Sequence, residues 1–371
     1  MATLKLDPIE KAVADIAAGK PVVVVDDEDR ENEGDLIMAA EKATPESVAF
    51  IVRHTSGILC APLEGREAKR LNLSPMVAEN DAPLATAFTV SVDFRHGLTT
   101  GISAEERCNT VRALANPNSG SGDFVRPGHI FPLVAKDGGV LIRTGHTEAA
   151  VDLARLAGCA PVGLICELVN DDGSVKKGGD LQSFAVEHDL ALVSIDDLIA
   201  YRQKRERLVE RIDDRMTDTA IGPVRAITYT TRYDQAEHVA LVYGEVEGKD
   251  DVLVRLQVEN VLRDAFGPAD RPVMTALERI REEGGGVLVY LRHGAAGVSE
   301  SRRAEAAENG EGAESDAARR EHWRDVGLGA QILLDLGIRK IRVLASRERQ
   351  YIGLSGFDIE ITETAIYPED A

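Results

Sequence analysis

No apolar run in this sequence is long enough to cross a membrane, and the opening MATLKLDPIE lacks the apolar centre of a secretion signal. A cytoplasmic protein is therefore expected. Basic residues are in deficit: 43 Lys and Arg face 63 Asp and Glu, a formal net charge of −20 that argues against nucleic acid or an anionic membrane as partner. A small phosphorylated substrate stays open, because a local arginine site can oppose the global sign. The four cysteines, Cys60, Cys108, Cys159 and Cys166, are too scattered for a disulfide framework or a Cys-x-x-Cys zinc site. They are expected to be reduced and mostly buried. There is no internal repeat. At 371 residues the chain exceeds one typical core, so two domains are expected.

What is present is concentrated at residues 26–35, DDEDRENEGD, in which eight of ten residues are charged. They follow Val22 to Val25, a β-branched run that reads as a strand buried on both faces. So dense an anionic loop is either a solvated turn or a site for a hard divalent cation, which prefers carboxylate oxygens. Further on, residues 140–142 read as a short strand leading into Arg143, Thr144, Gly145, His146 and Thr147, after which an apolar-periodic helix begins. A glycine turn at a helix N-terminus offers free backbone N–H groups to an anion, and Arg143 adds a phosphate donor. Thr147 reads as cap, phosphate ligand or both. Glu167 sits within an apolar strand, either facing solvent at an edge or serving as an acid/base group. His129 lies in a glycine- and proline-rich stretch, residues 116–132, whose composition argues against a packed element. Asp7, Pro8 and Glu10 predict a capped first helix.

The charged stretch 201–215 reads as a helix running into a linker, which divides the chain into 1–207 and 208–371. The second half shows strands at 224–230, 240–245, 252–258, 287–291, 341–345 and 357–362, with helices at 273–283 and 329–336. Residues 299–320 are nearly free of large apolar side chains and are expected to be disordered or an exposed helix.

Five motifs in order, DDEDRENEGD, HTSGILCAPL, DFVRPGHIFPL, RTGHTEAAVDL and ICEL, make the first half resemble 3,4-dihydroxy-2-butanone 4-phosphate synthase of riboflavin biosynthesis. The resemblance implies an α+β homodimer that takes D-ribulose 5-phosphate to formate and a four-carbon ketone phosphate. It implies Mg²⁺ or Mn²⁺, two per active site, with Glu31 and His146 as metal ligands. Arg30, Glu31, Asp35, Glu167 and the turn of Arg143, Thr144, Gly145, His146 and Thr147 are implied as substrate contacts, and His129 and Glu167 as catalytic.

The second half resembles GTP cyclohydrolase II and is expected to be a mixed α/β-type domain. Arg255, Glu259, Asp264, Phe266 and Gly267 fit that family's first motif, but Asn260 stands at the first zinc cysteine and Gln257 at the motif's histidine. Gly294, Ala295 and Ala296 replace a phosphate-binding segment. Arg324 persists as the family's catalytic arginine, while His322, Ala345 and Gln350 replace other functional residues. Without thiolates no zinc is expected, and an inactive C-terminal domain of structural or regulatory role follows. The alternative is a bifunctional enzyme with GTP cyclohydrolase II activity. A non-enzymatic sensing or assembly protein is a third reading, which the complete site of the first half opposes.

Overall fold

The structure is a computed structural model that describes residues 4–26, 30–231, 236–266, 272–292, 316–345 and 357–366. The chain divides into two compact units, Met1–Tyr201 and Arg202–Ala371.

The first unit is built on a seven-stranded mixed sheet. Its strands are β1 (Val22–Val25), β2 (Gly34–Ala39), β3 (Cys60–Glu64), β4 (Val92–Phe94), β5 (Phe124–Ala135), β6 (Gly163–Glu167) and β7 (Leu192–Ser194), in the spatial order β4-β5-β3-β6-β2-β1-β7. The four valines of β1 are buried on both faces, as expected: Val23 and Val25 enter one core, Val22 and Val24 the other. Each full burial contributes about 1.5–3 kcal/mol. Helices α1 (Ile9–Ala17), α5 (His146–Leu156) and α7 (Ile195–Arg205) cover the Val22/Val24 face. Helices α2 (Pro45–His54), α3 (Gly65–Arg70), α4 (Ala104–Ala115) and α6 (Gly179–Glu187) cover the other.

Local chemistry starts these helices in different ways. Thr44 caps α2 by accepting from Ser47 N at 3.2 Å, while its own N–H donates to Ser47 Oγ at 2.9 Å. At α1 the expected side-chain cap is not made. Asp7 accepts instead from Lys11 Nζ at 2.9 Å and from Leu192 N at 3.1 Å, which ties the helix start to β7.

Three expectations are corrected. Residues 139–141 form a 3₁₀ turn rather than a strand, because the buried Asp152 carboxylate accepts from Val140 N at 2.8 Å. The proline- and glycine-rich stretch ends in β5. Residues 126–129 leave the ladder between the pairings Val125 with Asp93 and Ile130 with Val92. Gly128 is required there, since a Cβ would stand 2.0 Å from the Val92 carbonyl carbon. The charged segment after α7 is a strand, β8 (Val209–Thr219), at the edge of the second sheet, where its charges stay in water.

That second sheet belongs to the C-terminal unit. It adds β9 (Gly222–Thr231), β10 (Glu237–Tyr243), β11 (Val252–Val258), β12 (Gly286–Leu291), β13 (Lys340–Ala345) and β14 (Glu360–Ile366), in the order β14-β13-β11-β12-β10-β9-β8. Strands β8 to β10 and β12 pair antiparallel, and β12, β11, β13 and β14 pair parallel. A short helix, α8 (Val261–Phe266), follows β11. Helix α9 (Pro272–Glu282) packs Ala276, Leu277 and Ile280 on Leu253, Leu288 and Leu344. Helix α10 (Asp316–Asp335) is longer than expected, and Gly329 lets it approach Leu256 so closely that a Cβ would stand 3.0 Å from that side chain. Residues 299–315, expected to lack a core, lie outside the described residues. No helix among the described residues is long and apolar enough to cross a membrane.

Candidate active site

Sheet register in the first unit sets one level across five strands. Val24 of β1 pairs with Val193 and with Asp35, and Asp35 pairs with Glu167. Cys60 of β3 pairs with Ile165 on one side and Phe131 on the other. Glu167 is the direct partner of Asp35, and His129 lies two residues beyond the Cys60–Phe131 pair. Side chains alternate along a strand, so Asp35 and Glu167 share the face of Val24, Ile37 and Ile165, the face that α5 covers. Glu167 stands on a central strand, so the solvent-edge reading of this residue is excluded.

The acidic loop closes one end of this row. The side chain of Asp26 is 1% exposed and organises it, accepting from Glu31 N at 3.0 Å, Glu33 N at 2.9 Å and Arg30 Nη1 at 2.9 Å. Arg30 Nη1 also donates to Glu31 Oε2 at 2.5 Å. Residues 27–29 lie outside the described residues.

From α5, His146 meets the same carboxylate with Nδ1 3.6 Å from Glu31 Oε2, while its Nε2 lies 3.1 Å from Val24 O. A carbonyl oxygen only accepts, so Nε2 carries a proton, and Nδ1 is the ring nitrogen that faces Glu31. Ligand atoms of Asp26, Glu31 and His146 all lie within 4.8 Å of one another, and no other such cluster occurs among the described residues. A set of carboxylate oxygens and one imidazole suits Mg²⁺ or Mn²⁺. Asp26 is already committed to the loop, which leaves Glu31 and His146 as the freer donors.

So many carboxylates around one buried row shift one another. Burial pushes Asp35 up to about 7, and Glu167, Glu31 and Glu33 add to this against the pull of His146. Burial opposes charge on His146, yet Asp35, Glu31 and Asp26 outweigh it and raise the imidazole to about 9. Burial also works against ionised Glu31, but His146 and Arg30 prevail and hold it below the usual carboxylate range.

Gly145 is the N-cap of α5, and no side chain takes that role. Thr147 is thus not the cap, and the first N–H groups of the helix have no partner within it. The turn is held from behind by two acids one helical turn apart. Glu148 accepts from Arg143 Nη1 at 2.7 Å and Lys136 N at 3.0 Å, and Asp152 accepts from Val140 N. Both are buried. A Cβ on Gly145 would stand 2.5 Å from Arg143 Nη1, so a side chain here would push the guanidinium from its place. Thr144 is half-buried and Thr147 buried beside it.

Ser56 Oγ donates to Glu167 Oε2 at 2.7 Å, and Ser56 N donates to Glu167 O at 2.9 Å. His129 Nδ1 lies 2.7 Å from Asp93 Oδ2, and His129 N donates to Asp93 Oδ1 at 2.8 Å. The structure thus joins Glu31 to His146 directly, sets Asp35 beside Glu167, and carries the 143–147 turn on α5. Asp26 entered the sequence reading only as part of the acidic run, and the supporting residues Ser56, Asp93, Glu148 and Asp152 escaped it. For the last two, a four-residue spacing of acids in an otherwise apolar helix was the available signal.

At the ends of β11 and β12 the second unit has its own polar cluster. Arg255 donates through Nη2 to Gln257 Oε1 at 2.8 Å and through Nη1 to Leu344 O at 3.1 Å. Asp264 accepts from Asn260 N at 2.8 Å and from the Tyr290 hydroxyl at 2.7 Å, and Asn260 Oδ1 accepts from Arg263 N at 3.0 Å. Residues 267–271, 294–296 and Gln350 lie outside the described residues.

Family models for 3,4-dihydroxy-2-butanone 4-phosphate synthase and for GTP cyclohydrolase II match residues 10–201 and 210–365. The chain is 50% identical to riboflavin biosynthesis protein RibBA of Rhodococcus erythropolis, over 98% of this chain and 90% of that protein. It is similar to a crystal structure of RibBX, a two-domain 3,4-dihydroxy-2-butanone 4-phosphate synthase from A. baumannii: TM-score 0.81, 38% identity, 97% of this chain and all of that one. A 3,4-dihydroxy-2-butanone 4-phosphate synthase solved with two magnesium ions matches with TM-score 0.53 and 44% identity, over 54% of this chain and 98% of that one.

These likenesses correct one expectation. The reading of the C-terminal half as an inactive domain is overturned, because the GTP cyclohydrolase II model matches nearly all of it and relatives sharing half their residues across both domains carry the RibBA name. The bifunctional alternative is the reading they favour. The chain belongs to the 3,4-dihydroxy-2-butanone 4-phosphate synthase family, as a two-domain member that joins this lyase of riboflavin biosynthesis to a GTP cyclohydrolase II domain.

Proposed function

We propose that the N-terminal unit converts D-ribulose 5-phosphate to 3,4-dihydroxy-2-butanone 4-phosphate and formate. The observation that carries the reading is the Glu31–His146 pair, 3.6 Å apart, at the end of a row that also presents Asp35 and Glu167. Glu31 and His146 would hold Mg²⁺ or Mn²⁺, two ions per site, and a bound divalent cation supplies Lewis acidity to the oxygens of an enediol. The first N–H groups of α5, with Arg143, Thr144 and Thr147 around them, suit the substrate's phosphate and orient the sugar along the row. Arg30 and Asp35 face the same substrate. Asp35, with its carboxyl near neutrality, and Glu167 and His129 have the chemistry to move protons on successive carbons. The active form is a homodimer, and the partner is a small sugar phosphate rather than a macromolecule. Formate release from ribulose 5-phosphate, measured with Mg²⁺ and again in excess EDTA, is the test. Undiminished turnover in EDTA overturns the metal-dependent reading, and no formate in either condition overturns the substrate.

A second reading concerns the C-terminal unit, for which the comparisons favour a GTP cyclohydrolase II reaction. All four cysteines lie in the first half, so a metal here would need oxygen and nitrogen ligands rather than thiolates. Formate release from GTP, with metal analysis of the same preparation, tests it. Absence of GTP turnover across Zn²⁺, Mg²⁺ and Mn²⁺ would overturn it.

A further inference from the structure

His129 is held by more than its strand. Asp93, 4% exposed in its side chain, receives both the backbone N–H and the ring Nδ1 of His129, whereas the imidazole itself is 40% exposed. One carboxylate thus fixes position and rotation together, and Nδ1 is the ring nitrogen it occupies, which leaves Nε2 as the other. The surroundings hold the pair in this geometry. Gly101, at φ +87°, lies over it so closely that a Cβ would stand 2.1 Å from Asp93 Oδ2 and 2.6 Å from His129 Nδ1. The loop bearing Gly101 is gathered by Glu106, which accepts from Thr99 N, Thr99 Oγ1, Gly101 N and Ser103 Oγ. On the opposite side Gly128 N donates to Ser91 Oγ at 3.1 Å. Arg107, buried on α4, is near enough for its charge to interact with Asp93.

A carboxylate can only accept from Nδ1, so the neutral ring must carry its proton there and leave Nε2 as a lone pair. We propose that Asp93 is a positioning residue of this reaction, fixing His129 as the Nδ1-protonated tautomer so that Nε2 is the atom that takes and returns a substrate proton. Nε2 accepts a proton from the substrate, the ring becomes an imidazolium whose Nδ1–H stays on Asp93, and the same proton leaves from Nε2 to a later intermediate. Asp93 keeps its hydrogen bond to Nδ1–H throughout. The proposal rests on the lyase reading above and on His129 as an acid/base group.

The experiment compares wild type, Asp93→Asn, Gly101→Ala and His129→Ala as full chains with Mg²⁺ and ribulose 5-phosphate. In Asp93→Asn the amide oxygen can still accept the His129 N–H. Its NH₂ then faces Nδ1 and forces the ring proton to Nε2. The expected result is a fall in kcat of about 10²–10⁴-fold with KM within threefold. The ¹⁵N signals of His129 should move from the Nδ1–H to the Nε2–H pattern, and the acid limb of the pH–rate profile should disappear. Wild-type kcat or an unchanged tautomer in Asp93→Asn would overturn the proposal. Should that variant not fold, Gly101→Ala, which displaces the pair without removing either partner, must show the same kcat loss; normal kcat there has the same consequence. Wild-type activity in His129→Ala would instead remove the acid/base role of His129, a separate failure.

Discussion

Asp35→Asn should make the protein more stable while inactivating it. Asp35 is wholly buried, and its carboxyl titrates at about 7 in the fold against 3.8 in the ordinary state. A raised carboxyl has its charged form disfavoured by folding. Stability is therefore unaffected below 3.8, falls as pH rises toward 7, and stays lowered above it. Each pH unit between the two values is worth about 1.4 kcal/mol, so the ionised side chain costs at most about 4 kcal/mol at pH 8. An amide of the same shape carries no such cost. Part of the gain is returned, because His146 loses a carboxylate that favours its imidazolium. A net gain of about 1–3 kcal/mol is expected, equivalent to roughly 2–12 °C in Tm for a unit of this size. The assay is urea and thermal unfolding in EDTA at pH 4, 6 and 8, beside formate release with Mg²⁺. The gain should be near zero at pH 4 and largest at pH 8, with turnover lost. A variant less stable than wild type at pH 8, or a difference independent of pH, would refute the burial argument.

Other outcomes follow from the same geometry. Glu31→Gln should weaken Mg²⁺ binding, read by titration calorimetry, and recover part of its activity at high Mg²⁺. Glu167→Gln should lose about 10²–10⁴-fold in kcat at every Mg²⁺ concentration, because a proton-transfer group rather than a ligand is removed. Gly145→Ala drives a methyl into Arg143 Nη1 and should raise KM for ribulose 5-phosphate at least about tenfold, with a smaller effect on kcat. Glu148→Ala leaves Arg143 without its buried carboxylate and should destabilise by about 3–5 kcal/mol in urea unfolding.

Much of this was legible in one dimension. Four consecutive valines specify a strand buried on both faces whatever the topology, and β1 is that strand. The acidic loop, the glycine turn before α5 and the isolated His129 and Glu167 stood out because each residue type is costly in an apolar context unless it has work or a partner. In the second half, strands 252–258, 287–291 and 341–345 were placed to within about a residue, since their apolar runs are uninterrupted.

Tertiary structure decided the rest. That Glu167 lies beside Asp35, with His129 on the same sheet, depends on the order β5-β3-β6-β2 and on registers that no residue spacing encodes. Glycine at 128 and proline at 127 read as loop because composition records conformational freedom; here close approach to β4 uses that freedom inside a strand. The charges of β8 read as a helix because an edge strand need not alternate when both its faces meet water. Asp93 was silent for a related reason. A carboxylate in a three-residue strand is ordinary in sequence, and it stands out only because the fold lays the backbone and ring of a histidine, 36 residues away, against its two oxygens. The residue types determined which chemistry was available, and the sheet, by fixing which side chains share a face at one level, decided which of them meet.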